Sequence, residues 1–177
     1  LSLQFYNLFL NSGFVNRSDY MNNKQKTVCF SGHRILHEPK EVVEKSLEIA
    51  IRQCISEGAE TFMTGGALGV DTIAAWTVIR LRKEFPEIRL MLALPCPSAE
   101  QTLKWSDSQR EEYQNILDLA DEVKVLSDKY TDRCMLDRNR YMIDNSGTLI
   151  YYLRTERGGT SYTVRYARKQ AIKLIAI

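Results

Sequence analysis

A chain of 177 residues is long enough for one domain with a proper hydrophobic core and too short for two large ones. Hydrophobic residues at 44% and charged residues at 26% match the average of globular chains, which excludes a disordered or fibrous protein, and no run approaches the roughly 20 apolar residues that span a bilayer. The formal charge of +2 gives no global basic excess that would by itself announce a nucleic-acid binder.

Residues 1–20, LSLQFYNLFLNSGFVNRSDY, differ in texture from the rest. They carry a short apolar stretch without a basic region before it or a small-residue cleavage site after it, so a secretory signal is not expected. Met21 stands just before a polar spacer and is the expected natural start. Residues 1–25 are therefore expected to be an extension beside the fold, and residues 26–177 a single domain.

From residue 26 onward, strand and helix periods alternate. Short apolar or β-branched runs ending in turn residues predict strands at 27–31, 59–64, 88–94, 121–126, 148–152 and 172–177. Between them, Val42, Val43, Leu47, Ile49, Ala50, Cys54 and Ile55 recur at helical spacing over 39–57, with Pro39 suited to the first turn. Ile73, Ala74, Val78 and Leu81 do the same over 70–84, and further helices are predicted near 107–120, 134–146 and 160–170. Six strands with intervening helices imply an α/β fold with a doubly wound, mainly parallel six-stranded sheet and helices on both faces.

In such a sheet, ligands bind at the carboxyl ends of the strands, where helix N-termini offer backbone N–H groups. The informative residues do follow strands. Ser31-Gly32-His33-Arg34 comes after the first, with Gly32 permitting close approach; His33 and Arg34 are either anion donors or exposed loop residues. After the second comes Thr64-Gly65-Gly66-Ala67-Leu68-Gly69-Val70-Asp71, three glycines in five residues, lacking the Lys-Ser/Thr ending of a Walker A loop. Asp71 either caps the following helix or holds a ribose hydroxyl or acts as a base. After the third, Pro95-Cys96-Pro97-Ser98 leads to Gln101 and Trp105, the latter a base-stacking or core residue. Arg138 and Arg140, flanking Asn139, can reach phosphate or make surface ion pairs. Arg157-Gly158-Gly159-Thr160 follows the fifth strand, with Thr160 a good helix start. From residue 131 to 177 nine Lys or Arg face four Asp or Glu, so an anion site should draw on this third. Cys29, Cys54, Cys96 and Cys134 lie far apart, with no CxxC pair and only two histidines, so neither a zinc site nor a disulfide scaffold is expected. Four reduced thiols imply a cytoplasmic protein.

The pieces CFSGHR, TGGALGVDTIAAW, LPCPSAEQTLKW, DRNRYMID and RGGTSYTVRYA, in this order, resemble the SLOG superfamily and most closely its YpsA-like branch. TGGALGVDTIAA and RNRYMID also resemble the bacterial DNA-processing protein A family, a recombination mediator, and RGGT the phosphate loop of the Lonely Guy phosphoribohydrolases. The resemblance implies a Rossmann-like fold with a nucleotide-type pocket framed by Gly32, His33, Arg34, Gly65, Gly66, Gly69, Asp71, Arg138, Arg140, Gly158, Gly159 and Thr160, with Gln101 or Asp71 at the ribose or base. The catalytic Glu of the phosphoribohydrolase motif has no counterpart: the two possible alignments put Arg165 or Thr163 there. The expected function is binding or sensing of a nucleotide or ADP-ribose-like ligand. The alternatives are single-stranded DNA binding in recombination, and a nucleotide hydrolase or phosphoribohydrolase activity, for which Asp71 is the one candidate catalytic group. No metal, no membrane contact and no certain cofactor beyond the nucleotide-type ligand are expected; a homodimer is suggested by analogy.

Overall fold

The computed structural model describes residues 17–177; residues 1–16, most of the expected extension, lie outside the described residues. The elements in order are α1 (Arg17–Gln25), β1 (Thr27–Gly32), α2 (Lys40–Ser56), β2 (Thr61–Thr64), α3 (Val70–Leu81), β3 (Arg89–Leu94) and α4 (Ser98–Gln101). They continue with α5 (Asp107–Leu119), β4 (Glu122–Val125), α6 (Cys134–Asp144), β5 (Thr148–Tyr152), α7 (Gly159–Lys169) and β6 (Lys173–Ala176). All six predicted strands are present, each within two residues of its expected ends. The single turn α4 and the helix α1 come in addition. Helix α1 is seated at the amino ends of β1 and β5: the Thr27 hydroxyl donates to the Asn23 carbonyl at 2.7 Å, and Gly147 lies against the backbone of Gln25.

The strands form one sheet in the order β4-β3-β2-β1-β5-β6, and every pair is parallel. The chain thus winds outward from β1 to β4, then returns across the sheet to β5 and β6. Right-handed crossovers place helices on opposite faces when the winding direction reverses. Accordingly α2, α3 and α5 pack on one face and α6 and α7 on the other.

The pleat of β1 divides its side chains between two cores. Val28 and Phe30 join Leu47, Ile51, Ala74 and Val78 under α2 and α3, while Cys29 joins Met63, Met142, Leu149 and Val164 under α6 and α7. Leu47 and Ile51 are wholly buried, each contributing about 1.5–3 kcal/mol relative to an exposed position. The reversal point lies between β1 and β5, and the loops that leave their carboxyl ends meet there.

Candidate functional site

Beyond the strand ends, the loops carrying the predicted residues touch one another. Gly32 lies against the Val70 side chain and Gly69 against the backbone of His33 and Arg34, so the β1 and β2 loops pack closely. Val70 N–H donates to the His33 carbonyl at 3.3 Å.

The glycine-rich loop after β2 is folded onto its own helix. The Asp71 carboxylate accepts from the Gly65 amide at 3.1 Å and the Ala67 amide at 3.3 Å. The Gly66 amide donates to the Thr64 hydroxyl at 3.1 Å. Three consecutive amides that the sequence offers to a phosphate are therefore engaged within the loop. Asp71 is 6% exposed, and burial raises its pKa against the opposing influence of the Arg138 charge and the two amides.

Arg138 reaches this loop from α6. Its Nη1 stands 3.8 Å from Asp71 Oδ2, too long for a hydrogen bond, and the guanidinium occupies the space a side chain at Gly65 would fill. Arg138 is 6% exposed, and among the described residues its Nε and Nη1 have no hydrogen-bond partner. Burial lowers its pKa, opposed by the Asp71 charge, while Arg34 is close enough to lower it further. Gln101, on α4, donates to the Gly66 carbonyl at 2.8 Å, and its Oε1 is likewise buried without a partner. Two donor atoms and one acceptor are thus left open around a single loop.

Helix α7 begins with an open N-terminus. Gly158 and Gly159 are exposed, no side chain among the described residues caps the helix, and Gly158 adopts φ 89°, ψ −173°, a conformation essentially confined to glycine. Among the described residues, nothing accepts from the amides of Gly159, Thr160 and Ser161, so they offer donors to an anion. Thr160 is buried, and Asn139 Nδ2, next to Arg138 in the chain, lies 3.9 Å from where a Gly159 Cβ would be.

His33 and Arg140 are placed differently from the other predicted residues. His33 Nε2 accepts from the amides of Arg154 at 2.9 Å and Thr155 at 3.3 Å, pinning the β5–α7 loop. Burial, then the His37 and Arg154 charges, hold its pKa below the ordinary histidine value, consistent with an acceptor nitrogen. Arg140 lies about 200° round α6 from Arg138 at 100° per residue, and its Nε donates to Tyr162 Oη at 2.6 Å over the Tyr162–Tyr166 stack. It faces α7 rather than the loop edge. Trp105 is in the core, edge-on to Tyr113 at 5.3 Å.

The sequence reading missed one network at this edge. Glu38 accepts from Tyr152 Oη and, at 2.7 Å, from Arg154 Nε, while Arg154 also caps the Ile177 carbonyl at 3.0 Å and lies over the Tyr152 ring. The Tyr152 hydrogen bond, then Arg154, lower the Glu38 pKa. Arg154 could have been flagged, since it follows a strand like the other loop residues; Glu38 carries no such signal. Thr163 and Arg165, the two positions aligned with a catalytic Glu, bond within α7 and its neighbour, Thr163 accepting from Asn139 at 2.9 Å and Arg165 donating to Ser161 at 3.0 Å.

Two surface grooves, of about 310 and 270 Å³, lie around Trp76 and Glu112 and around Ile49 and Ile175. Of the edge residues named above, Ile177 alone lines either, in the second groove. Of the four buried side-chain polar atoms without a partner among the described residues, Arg138 Nε, Arg138 Nη1 and Gln101 Oε1 lie at the edge and Ser146 Oγ just before β5, whereas none lines a groove. Among the described residues no cluster fit for a metal occurs and no helix is long and apolar enough to cross a membrane.

A parallel, doubly wound sheet with its polar loops gathered at the reversal edge defines a Rossmann-like α/β protein. A model of the YspA SLOG family matches residues 34–175, and the chain belongs to that family. It is 33% identical over 138 residues to the SPbeta prophage-derived protein YoqJ of Bacillus subtilis, covering 71% of this chain and 80% of that one. It is 34% identical over 131 residues to a UPF0398 protein of Halalkalibacterium halodurans, covering 72% and 68% respectively. In three dimensions it resembles DNA processing protein A of Helicobacter pylori, a structure described for its single-stranded DNA binding mode. That match has a TM-score of 0.62 at 21% identity and covers 92% of this chain and 69% of the other, a likeness of fold.

Proposed function

We propose that this protein binds a phosphate-bearing, nucleotide-type ligand at the carboxyl edge of its sheet, as a binding or sensing module. One observation carries the reading: among the described residues, two nitrogens of the buried Arg138 guanidinium have no acceptor. A buried charged donor left open is costly, and a ligand oxygen would satisfy it. The free N-terminus of α7 and the exposed Arg34 on the neighbouring loop supply further positive potential. The amides of Gly65, Gly66 and Ala67 have no part, because Thr64 and Asp71 already hold them. Gln101 Oε1 would take a hydroxyl or amino donor from the same ligand.

The test is the unfolding temperature of the full chain with AMP, ADP-ribose, NAD and a dT oligonucleotide, each at low and moderate salt. A ligand at about 100 times its dissociation constant stabilises by roughly 2.7 kcal/mol. At about 2–4 °C per kcal/mol this raises the midpoint by about 5–11 °C. A shift with a mononucleotide that survives salt and vanishes in Arg138→Met supports the reading; a full shift in Arg138→Met overturns it.

The fold shared with DNA processing protein A of Helicobacter pylori favours one second reading, single-stranded DNA along the same edge. It expects a shift with the oligonucleotide alone, growing with its length and erased by salt as counterion release requires.

A further inference from the structure

Three loops at the carboxyl edge are fastened to one another through His33. Its carbonyl accepts from the Val70 amide at 3.3 Å, at the start of α3, and Gly69 packs against the same carbonyl. Its ring reaches the other way, Nε2 accepting from the amides of Arg154 at 2.9 Å and Thr155 at 3.3 Å. The ring is half-buried, in a T-shaped contact with Tyr152 at 5.9 Å and beside the His37 ring at 5.8 Å. The β5–α7 loop hangs on that one nitrogen. Residues 154–159 are exposed, and among the described residues the backbone of 154–157 has one other partner outside its own turn, the Ser161 hydroxyl donating to the Glu156 carbonyl at 2.7 Å. The Arg154 side chain is anchored independently, to Glu38 at 2.7 Å, to the Ile177 carbonyl at 3.0 Å and over the Tyr152 ring at 4.2 Å. The ring therefore governs the stretch from Thr155 to Gly158 that enters α7.

A neutral imidazole has a single acceptor nitrogen and an imidazolium has none. Protonating His33 puts an N–H where the lone pair stood, facing two amide N–H groups, so both bonds are lost together. The surrounding charges do not favour the imidazolium. Arg154 lies across the loop, His37 and Arg34 are on the same loop as His33, and Glu156 and Arg157 are exposed on the β5–α7 loop itself. The two acids nearest in the fold are engaged elsewhere: Glu38 by Tyr152 and Arg154, and Asp71, in the β2–α3 loop, by the amides of Gly65 and Ala67. Burial, then the His37 and Arg154 charges, hold the His33 pKa below its ordinary value, so protonation falls on the acid side of about pH 6.5.

We propose that His33 is an acid-released clasp: neutral, it holds the β5–α7 loop onto the β1 loop, and protonated, it lets residues 155–158 go while the sheet stays folded. The sheet is indifferent to the step because the strand ladder and the Arg154 anchors do not pass through the ring. The freed stretch leads directly into the open N-terminus of α7, where Gly158 sets the approach with φ 89°. Anion affinity at that terminus therefore falls in acid, the opposite of what a general gain of positive charge would give. This consequence rests on the reading of the edge as an anion site; the release itself does not.

The experiment is a titration of the full chain from about pH 8 to about pH 5 followed by heteronuclear NMR, with the His33 ring nitrogens reporting protonation and the Arg154 and Thr155 amides reporting the bonds. The expected result is that both amides shift with the midpoint of the His33 ring, that Gly158 and Gly159 follow, and that the β1 amides of Val28 and Phe30 stay in place. His33→Gln, whose side-chain carbonyl accepts without titrating, should abolish the transition, and His37→Gln should leave it intact. Overturning results, the first two readable in the wild-type protein alone, are amides that stay still while the ring titrates, a ring that stays neutral until the whole chain unfolds, or a transition that persists in His33→Gln. For the consequence, sulfate, a dianion throughout this range, is titrated against the Gly159 and Thr160 amide shifts. Its apparent dissociation constant should rise several-fold between the two ends of the range in wild type relative to His33→Gln. Sulfate that moves neither amide at either pH would count against the edge as an anion site and leave the clasp result standing.

Discussion

Replacing Gly65 by alanine isolates the contact on which the candidate site rests. The new Cβ would fall 1.4 Å from Arg138 Nη1 and 2.2 Å from its Cζ, whereas ordinary contact begins near 3.4 Å. The guanidinium must therefore retreat by about 2 Å, carrying it away from Asp71, which is 6% exposed and keeps its two amide bonds but loses its counter-charge. Breaking a buried pair costs about 3–5 kcal/mol, and the 3.8 Å Nη1–Oδ2 separation, which is no hydrogen bond, places this one at the lower end. About 3 kcal/mol corresponds to a midpoint lower by roughly 6–12 °C for a chain of this size. The assay is urea and thermal denaturation of Gly65→Ala, Arg138→Met and the double variant. In the Arg138→Met background the alanine meets no guanidinium, and its cost should fall to below about 1 kcal/mol, a coupling typical of residues in contact. Equal costs of Gly65→Ala in both backgrounds would refute the reasoning.

Gly158→Ala should cost about 1–3 kcal/mol through the backbone alone, because its φ of 89° suits only glycine and no atom lies within 4 Å of the new methyl; urea midpoints measure it. Leu47→Ala, at a wholly buried position of α2, should cost about 2–5 kcal/mol, read from the same titration. The folded protein holds His33 below its ordinary pKa, so the unfolded chain takes up the proton first. The contribution of His33 is present above about pH 6.5 and is lost as pH falls through its lowered folded value. Stability of wild type relative to His33→Gln, measured at pH 8 and pH 5, should therefore shrink at the acid end.

Much of the fold was legible because a strand and a helix repeat at different periods, so every predicted strand after residue 26 reappears in the sheet and the five long helices reappear against its faces. The position of the polar loops after strands was equally legible, since a parallel sheet directs all its carboxyl ends one way. The partners within that edge were not. Arg138 and Arg140 look equivalent in sequence, and only the packing of α6 on the sheet and on α7 turns one to Gly65 and the other to Tyr162. The glycine loop reads as open amides until Asp71 is seen to fold back onto two of them. His33 reads as an anion donor until Arg154 and Thr155, more than a hundred residues later, are seen donating to it.

By itself, then, the sequence determined the order and type of the elements and which strand ends carry chemistry, because periodicity and turn residues are local properties. The tertiary structure alone decided which donors remain free, because satisfaction of a hydrogen bond depends on groups brought together across the whole chain. Arg138, left open beside an occupied glycine loop, is the result of that assembly.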